Sequence, residues 1–131
     1  MFIYLASPYT VHGDHTEEEH TRIRAERFEH ICKKAAELMK YGHQVFCPIA
    51  HSHPIEVLGM TEREGHDFWL KQDFAVLEHV DALYVYAMDG WEKSRGIADE
   101  IKFAEAYHIP VFIMFESGEI VTYGQKNRAV A

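Results

Sequence analysis

Ala82-Leu83-Tyr84-Val85-Tyr86-Ala87, then Met88-Asp89-Gly90-Trp91-Glu92-Lys93-Ser94-Arg95-Gly96, then Ile97-Ala98-Asp99-Glu100-Ile101, is the stretch that decides the fold. An unbroken apolar run without alternation predicts a strand covered on both faces, as in a parallel sheet. The glycine-punctuated loop after it ends on Ser94, a residue type that caps helices. Ile97, Ile101 and Ala104 then recur at helical spacing, predicting a helix from about Ser94 to Tyr107. Strand, loop and helix in that order make half of a strand–helix–strand unit. Ile109 to Phe115 supplies the next apolar strand.

The pattern repeats toward the N-terminus. Phe2 to Ala6 reads as a strand that stops at Ser7-Pro8, and Gln44 to Cys47 as a second strand closed by Pro48. Between them, Ala25, Phe28, Ile31, Ala35 and Leu38 predict a helix from about Arg22 to Tyr41, stopped by Gly42. The polar segment Val11 to Thr21 reads as a mobile loop leading into it. His51 to Met60, with a proline and a glycine, reads as irregular. Phe68, Leu70, Phe74 and Leu77 predict a helix from about Glu64 to His79, and Ile120 to Tyr123 a weak final strand. The expectation is one α/β domain over 1–131. Its fold is a flavodoxin-like (Rossmann-like) three-layer sandwich around a central, mainly parallel sheet of about four or five strands. Right-handed crossovers place the loops after each strand on one edge, where such sheets bind ligands. The segments that bear on function are therefore Ser7 to Asp14, Pro48 to Gly59 and Met88 to Arg95.

Composition narrows the partners. The chain has 131 residues, 47% hydrophobic, and a formal net charge of −8, so a basic stripe for a nucleic-acid polymer is missing. Arg22, Arg24, Arg27, Lys33 and Lys34 are interleaved with Glu26, Glu29 and Glu37, the pattern of a solvated helix face. A small anion remains compatible, because a helix N-terminus binds one without net basic charge. No apolar run approaches membrane-spanning length, and no cleavable signal is read at the N-terminus. Cys32 and Cys47 read as buried free thiols of a reducing compartment, which implies the cytoplasm.

Several residues are candidates for chemistry. Glu100 lies one to two turns into the helix after the glycine loop, on the face of Gly96 and Ile97. Alternatively, Asp99 and Glu100 simply complement the helix dipole. Asp73 sits one position from an apolar stripe, where half-burial would raise its pKa and suit proton donation; the alternative is an exposed helix acid. Asp81 reads as a turn or cap residue at the opposite sheet edge. His51 and His53, with His12, Asp14 and His15, would supply enough ligands for a metal, but no metal motif is matched. A neutral His51 or His53 that bonds a sugar or orders its loop is the expectation, with neither metal nor cofactor.

Taken together, Ile3-Tyr4-Leu5-Ala6-Ser7-Pro8, Pro48-Ile49-Ala50-His51-Ser52-His53-Pro54, Trp69-Leu70-Lys71-Gln72-Asp73 and Gly90-Trp91-Glu92-Lys93-Ser94-Arg95-Gly96-Ile97-Ala98-Asp99-Glu100 resemble the nucleoside 2-deoxyribosyltransferase superfamily. Within it the chain resembles a bacterial and phage family related to the 2′-deoxynucleoside 5′-monophosphate N-glycosidases. The resemblance implies a nucleophilic glutamate at Glu100, an aspartate assisting at the base at Asp73, and a tyrosine orienting the nucleophile at Tyr4. It implies a small-molecule site drawn from Ser7, His51, His53, Trp69, Gly90, Ser94 and Gly96. Nucleoside-using transferases carry an acid at the position of Ser94, whereas the monophosphate N-glycosidases carry serine. A carboxylate would repel a phosphate and serine can donate to it, so Ser94 implies a 5′-monophosphate. The superfamily often completes its site from a neighbouring subunit's C-terminus, where Asn127 is the equivalent. A homodimer or higher homo-oligomer is expected, with Phe68, Trp69 and Trp91 as aromatic surface near the pocket. Two other classes stay open: a nucleotide-binding or sensing module without turnover, and a histidine-dependent metal hydrolase.

Overall fold

A computed structural model describes residues 1–124; Gln125 to Ala131, and with them Asn127, lie outside the described residues. The strands are β1 (Phe2–Ala6), β2 (Gln44–Phe46), β3 (Ala82–Tyr86), β4 (Val111–Met114) and β5 (Ile120–Thr122). The helices are α1 (Glu17–Lys40), α2 (Pro48–Gly59), α3 (His66–Leu77) and α4 (Arg95–Ala106), with a 3-10 turn at Trp91–Lys93 before α4. The sheet order is β2-β1-β3-β4-β5. The first four strands are parallel, and β5 is antiparallel to β4. That is the flavodoxin-like order, with its topological switch between β1 and β3.

Every residue of β3 is buried, as its unbroken apolar run requires. The alternation of side chains sends Tyr4, Ala6, Leu83 and Val85 to one face, against Leu77 of α3 and Ile97, Ile101 and Ala104 of α4. Ile3, Leu5, Tyr84 and Tyr86 face the other way, against Ile31, Ala35 and Leu38 of α1. Each fully buried Leu or Ile here contributes roughly 1.5–3 kcal/mol. At the opposite edge, Asp81 Oδ2 accepts a hydrogen bond from the Phe2 amide at 2.8 Å, which fixes the start of β1.

The structure corrects four expectations. Helix α1 begins at Glu17, not near Arg22, because Thr16 and Glu19 form a reciprocal capping box. The acidic run Glu17 to Glu19 is its first turn. His51 to Met60 is not irregular: all but Met60 falls in α2, which opens on Pro48 and carries Pro54 inside it. The basic residues of α1 are not uniformly solvated. Arg24 is buried, and Arg27 donates to the carbonyl oxygens of Tyr9 (3.3 Å), Thr10 (2.8 Å) and Asp89 (3.5 Å). Arg27 thereby ties the loop after β1 to the loop after β3. Finally, Trp91 is partly buried against the α3–α4 core and is not bare surface.

Exposed large apolar side chains include Ile55, Val57 and Leu58 (85% exposed) of α2 and Phe68 of α3, with others, Tyr41 and Tyr107 among them, elsewhere on the surface. Both cysteines are free; Cys47 is buried and Cys32 only partly so. Burial pushes the Cys47 thiol up to about 12. Among the described residues no helix is long and apolar enough to cross a membrane.

Candidate active site

The loops after β1 and β3 and the starts of α2, α3 and α4 enclose a cavity of about 330 Å³ at the C-terminal edge of the sheet. Glu100 forms part of its wall and is 5% exposed. It lies on the inward stripe of α4 between Ile97 and Ile101, so the helix-dipole explanation, which needs a solvated first-turn acid, does not describe it. Tyr4 reaches the same carboxylate from β1, donating its hydroxyl hydrogen to Glu100 Oε2. The tyrosine lies beneath the cavity, fully buried, and touches it through Glu100.

Burial pushes Glu100 up to about 8; the Tyr4 hydrogen bond opposes that shift, and the nearby Asp73 adds to it. Asp73, on α3, lines the cavity, and burial alone raises it to about 7. Tyr4 is itself pushed well above its ordinary value, first by burial and then by the negative charge of Glu100. Two carboxyl groups of one cavity therefore hold protons near neutrality, a condition under which one can be ionised while the other is protonated.

The start of α4 forms a different wall. Ser94 caps the helix, its Oγ accepting from the Ile97 amide at 3.2 Å. The amides of Arg95 and Gly96 have no intrahelical acceptor by geometry, and both residues line the cavity beside Ser94. A Cβ at Gly96 would meet only Ser94 Oγ, at 3.8 Å, so packing within the chain does not call for glycine there.

Ser7 and Trp69 also line the cavity, and each presents a buried polar atom, Oγ and Nε1, without a hydrogen-bond partner among the described residues. Besides Tyr4, three residues expected at the site lie off its walls. His51 is exposed, with its ring beside Phe46. His53 stacks on Phe28 with ring centroids 4.4 Å apart, and its Nδ1 lies 2.5 Å from the Tyr9 hydroxyl; burial lowers its pKa, against the opposing charge of Glu56. It orders the wall behind Tyr9. Gly90 has φ +91°, and a Cβ there would come within 3.2 Å of Arg27, so its glycine serves the turn and the Arg27 clasp. Among the described residues no group of three or more His, Cys, Asp or Glu side chains is arranged to hold a metal ion.

Sequence reasoning missed other lining residues. Glu56 of α2 and Arg63 of the following loop form an ion pair on the wall, and His66, also on the wall, is joined through Nε2 to Oδ2 of Asp99, which does not line the cavity, at 2.8 Å. None of Glu56, Arg63 and His66 sits in a motif; only the placement of α2 at the sheet edge brings Glu56 in.

No curated protein matches this sequence. Among solved structures, the 2-deoxyribosyltransferase of Bacillus psychrosaccharolyticus is similar, with a TM-score of 0.61 and 24% identity over 97% of this chain and 81% of that one. A likeness at that identity is one of fold, and function has to be argued from the site. The family described as Domain of unknown function (DUF1937) matches residues 1–116, and the chain belongs to it.

Proposed function

We propose that the chain cleaves or transfers the N-glycosidic bond of a (deoxy)nucleoside 5′-monophosphate. The observation that carries this reading is the buried carboxylate of Glu100, bonded by Tyr4 and set in one cavity with the raised carboxyl of Asp73. N-glycosidic cleavage passes through an oxocarbenium-like state. Glu100, ionised, attacks the anomeric carbon as the bond to the base breaks, and a glycosyl–enzyme ester forms. Asp73, protonated, gives its proton to the departing base, which leaves neutral. Water, giving its proton to the now ionised Asp73, then attacks the anomeric carbon, which releases the sugar phosphate and frees the Glu100 carboxylate, or a second base accepts the glycosyl group.

The α4 N-terminus supports the monophosphate. Its free amides, the Ser94 hydroxyl and Arg95 line the same cavity, and the missing Cβ at Gly96 leaves room for phosphate oxygens. Trp69 suits the base, offering a ring face and an indole N–H. The occupant is thus a small molecule, with neither metal nor cofactor taking part. In the same reading the chain is a single cytoplasmic domain over 1–131, related to the monophosphate N-glycosidases. It pairs with a copy of itself through the apolar face of Ile55, Val57, Leu58 and Phe68.

Incubation with a panel of nucleosides and 5′-monophosphates, scored by release of free base, tests the reading. Base release from monophosphates, abolished by Glu100→Gln, is the expected result. A panel that releases no base with the folded protein overturns it.

A further inference from the structure

His66 opens α3 and lines the cavity, and its Nε2 lies 2.8 Å from Oδ2 of Asp99, one turn into α4. A carboxylate only accepts, so Nε2 carries the hydrogen of that bond. Nδ1 makes no hydrogen bond among the described residues. A helical side chain leans over the turn before its own Cα, so Asp99 reaches back toward Arg95 and Gly96 and holds the imidazole near the first turn of α4. The start of α3 lines the same cavity. Gly65 caps that helix without a side chain, so the amides of His66 and Asp67 have no intrahelical acceptor. A Cβ at Gly65 would meet nothing within 4 Å, so packing does not call for glycine there. Independently, Ser7 Oγ, unpartnered on a side chain that is 6% exposed, marks the cavity as built for a polar ligand. The wall also carries more acid than base. Glu56, Glu64, Asp73 and Glu100 face Arg63 and Arg95, and Arg63 is engaged by Glu56. The other histidine of the wall, His12, has no carboxylate bonded to it among the described residues.

We propose that His66 binds the 5′-phosphate of the substrate, donating Nδ1–H to a phosphate oxygen held at the first turn of α4, and that Asp99 is its positioning residue. This rests on the monophosphate reading of the cavity. With Nε2–H committed to Asp99, Nδ1 can donate only from the doubly protonated, cationic ring. A dianionic phosphate on one side and a carboxylate on the other favour that cation, and the ring takes its second proton from solvent as the phosphate arrives. Asp99 fixes which nitrogen is free for the ligand, as a carboxylate behind a histidine does elsewhere. The charge that the acidic wall lacks is thus supplied only when an anion is bound.

The probe is 2-deoxyribose 5-phosphate, the product of the proposed hydrolysis whatever the base, with 2-deoxyribose as the control that lacks the phosphate. Nitrogen NMR of the histidine rings reads protonation, and calorimetry reads affinity. With the native chain at about pH 7.5, the sugar phosphate should move the His66 Nδ1 signal toward the N–H range, and 2-deoxyribose should leave it in place. His66→Gln keeps a donor for Asp99 but cannot become a cation. It should weaken the sugar phosphate on the order of 10- to 100-fold, the worth of a hydrogen bond between charged groups. Asp99→Asn should weaken it as well, and carries the test if His66→Gln does not fold. A pair that only clasped α3 to α4 would leave the Nδ1 signal unmoved when the sugar phosphate binds. That result, a signal moved equally by 2-deoxyribose, an affinity that survives both substitutions, or no binding of the sugar phosphate overturns the inference. The expected signal and affinities without base release from any 5′-monophosphate uphold the inference and overturn the glycosidic function. Base release with an unmoved Nδ1 signal does the reverse.

Discussion

Tyr4 in β1 and Glu100 in α4 meet through a buried hydrogen bond across 96 positions of sequence. The pairing joins β1, at the topological switch, to the helix that forms the cavity wall. It also opposes the burial that would otherwise hold Glu100 protonated. Removing the hydroxyl should therefore act on the carboxylate. Tyr4→Phe should lower kcat/KM by roughly 10–100-fold, the worth of a hydrogen bond to a charged group. The acid limb of its pH profile should move to higher pH. A parent-like profile from steady-state base release would separate the tyrosine from the chemistry.

The paired carboxyls predict a bell-shaped dependence of kcat/KM on pH. With values of about 7 for Asp73 and about 8 for Glu100, the pair shares one proton between those limits; these values leave that proton chiefly on Glu100, so the productive form, with the proton on Asp73, is the less populated of the two and only a fraction of the singly protonated enzyme reacts. Below them both are protonated and no nucleophile remains. Above them both are ionised and the base leaves without a proton. Asp73→Asn removes one titration and the proton donor together. It should lower the rate by on the order of 100-fold or more and reduce the bell to a single rising limb set by Glu100.

The same shifts predict that the site destabilises the fold as pH rises. Both carboxyls bind protons in the folded chain above the range, near 4, where unfolded Asp and Glu release theirs. The folded state then holds more protons than the unfolded one, so stability is full below that range and falls as pH rises through about 7 and 8. Glu100→Gln, which cannot ionise, should flatten the decline and gain on the order of a few kcal/mol at pH 8.5 over the parent. Urea unfolding at pH 5 and pH 8.5 measures both. A parent stability that does not fall with pH would contradict the buried, protonated carboxyl.

How much of this was legible in the sequence depends on how local the signal is. The apolar run of β3, the Ser94 cap and the inward stripe of α4 are local, and they place Glu100 near a ligand edge from the sequence alone. The capping box of α1 was equally local, with Thr16 and Glu19 three apart, but the acidic run around it read as loop. Helix α2 had its start signal in Pro48, while Pro54 lacks the amide a helix interior needs and argued the other way. The clasps of Arg27 and Glu56 could not be read at all. Their partners lie on other elements, and nothing about an arginine among glutamates reports which loop it will reach.

The exposed apolar face of α2 predicts self-association. Val57 and Leu58 are 63% and 85% exposed, and Ile55 of the same helix and Phe68 of α3 are exposed as well. Sedimentation should give a dimer or larger species at micromolar concentration, and Leu58→Arg should shift it toward monomer without loss of helical content. A parent that sediments as a monomer would leave this face without the proposed role.

Ser94 allows the phosphate to be tested apart from the fold. Its Oγ accepts from the Ile97 amide, so Ser94→Ala should cost about 0.5–2 kcal/mol of stability through the lost cap, whatever the ligand. Ser94→Asp is different, because aspartate caps helices as well as serine and stability should hold. Its charge, however, would stand where the proposed phosphate binds, beside the free amides of Arg95 and Gly96. Monophosphate affinity should fall on the order of 10-fold or more from like-charge repulsion in a partly enclosed cavity, while nucleoside turnover is spared or raised. The informative quantity is the ratio of kcat/KM for a nucleoside 5′-monophosphate to that for its nucleoside, which a change in stability leaves untouched. If Ser94→Asp folds as well as the parent and the ratio does not move, the phosphate lies elsewhere, and the α4 N-terminus has no part in holding it.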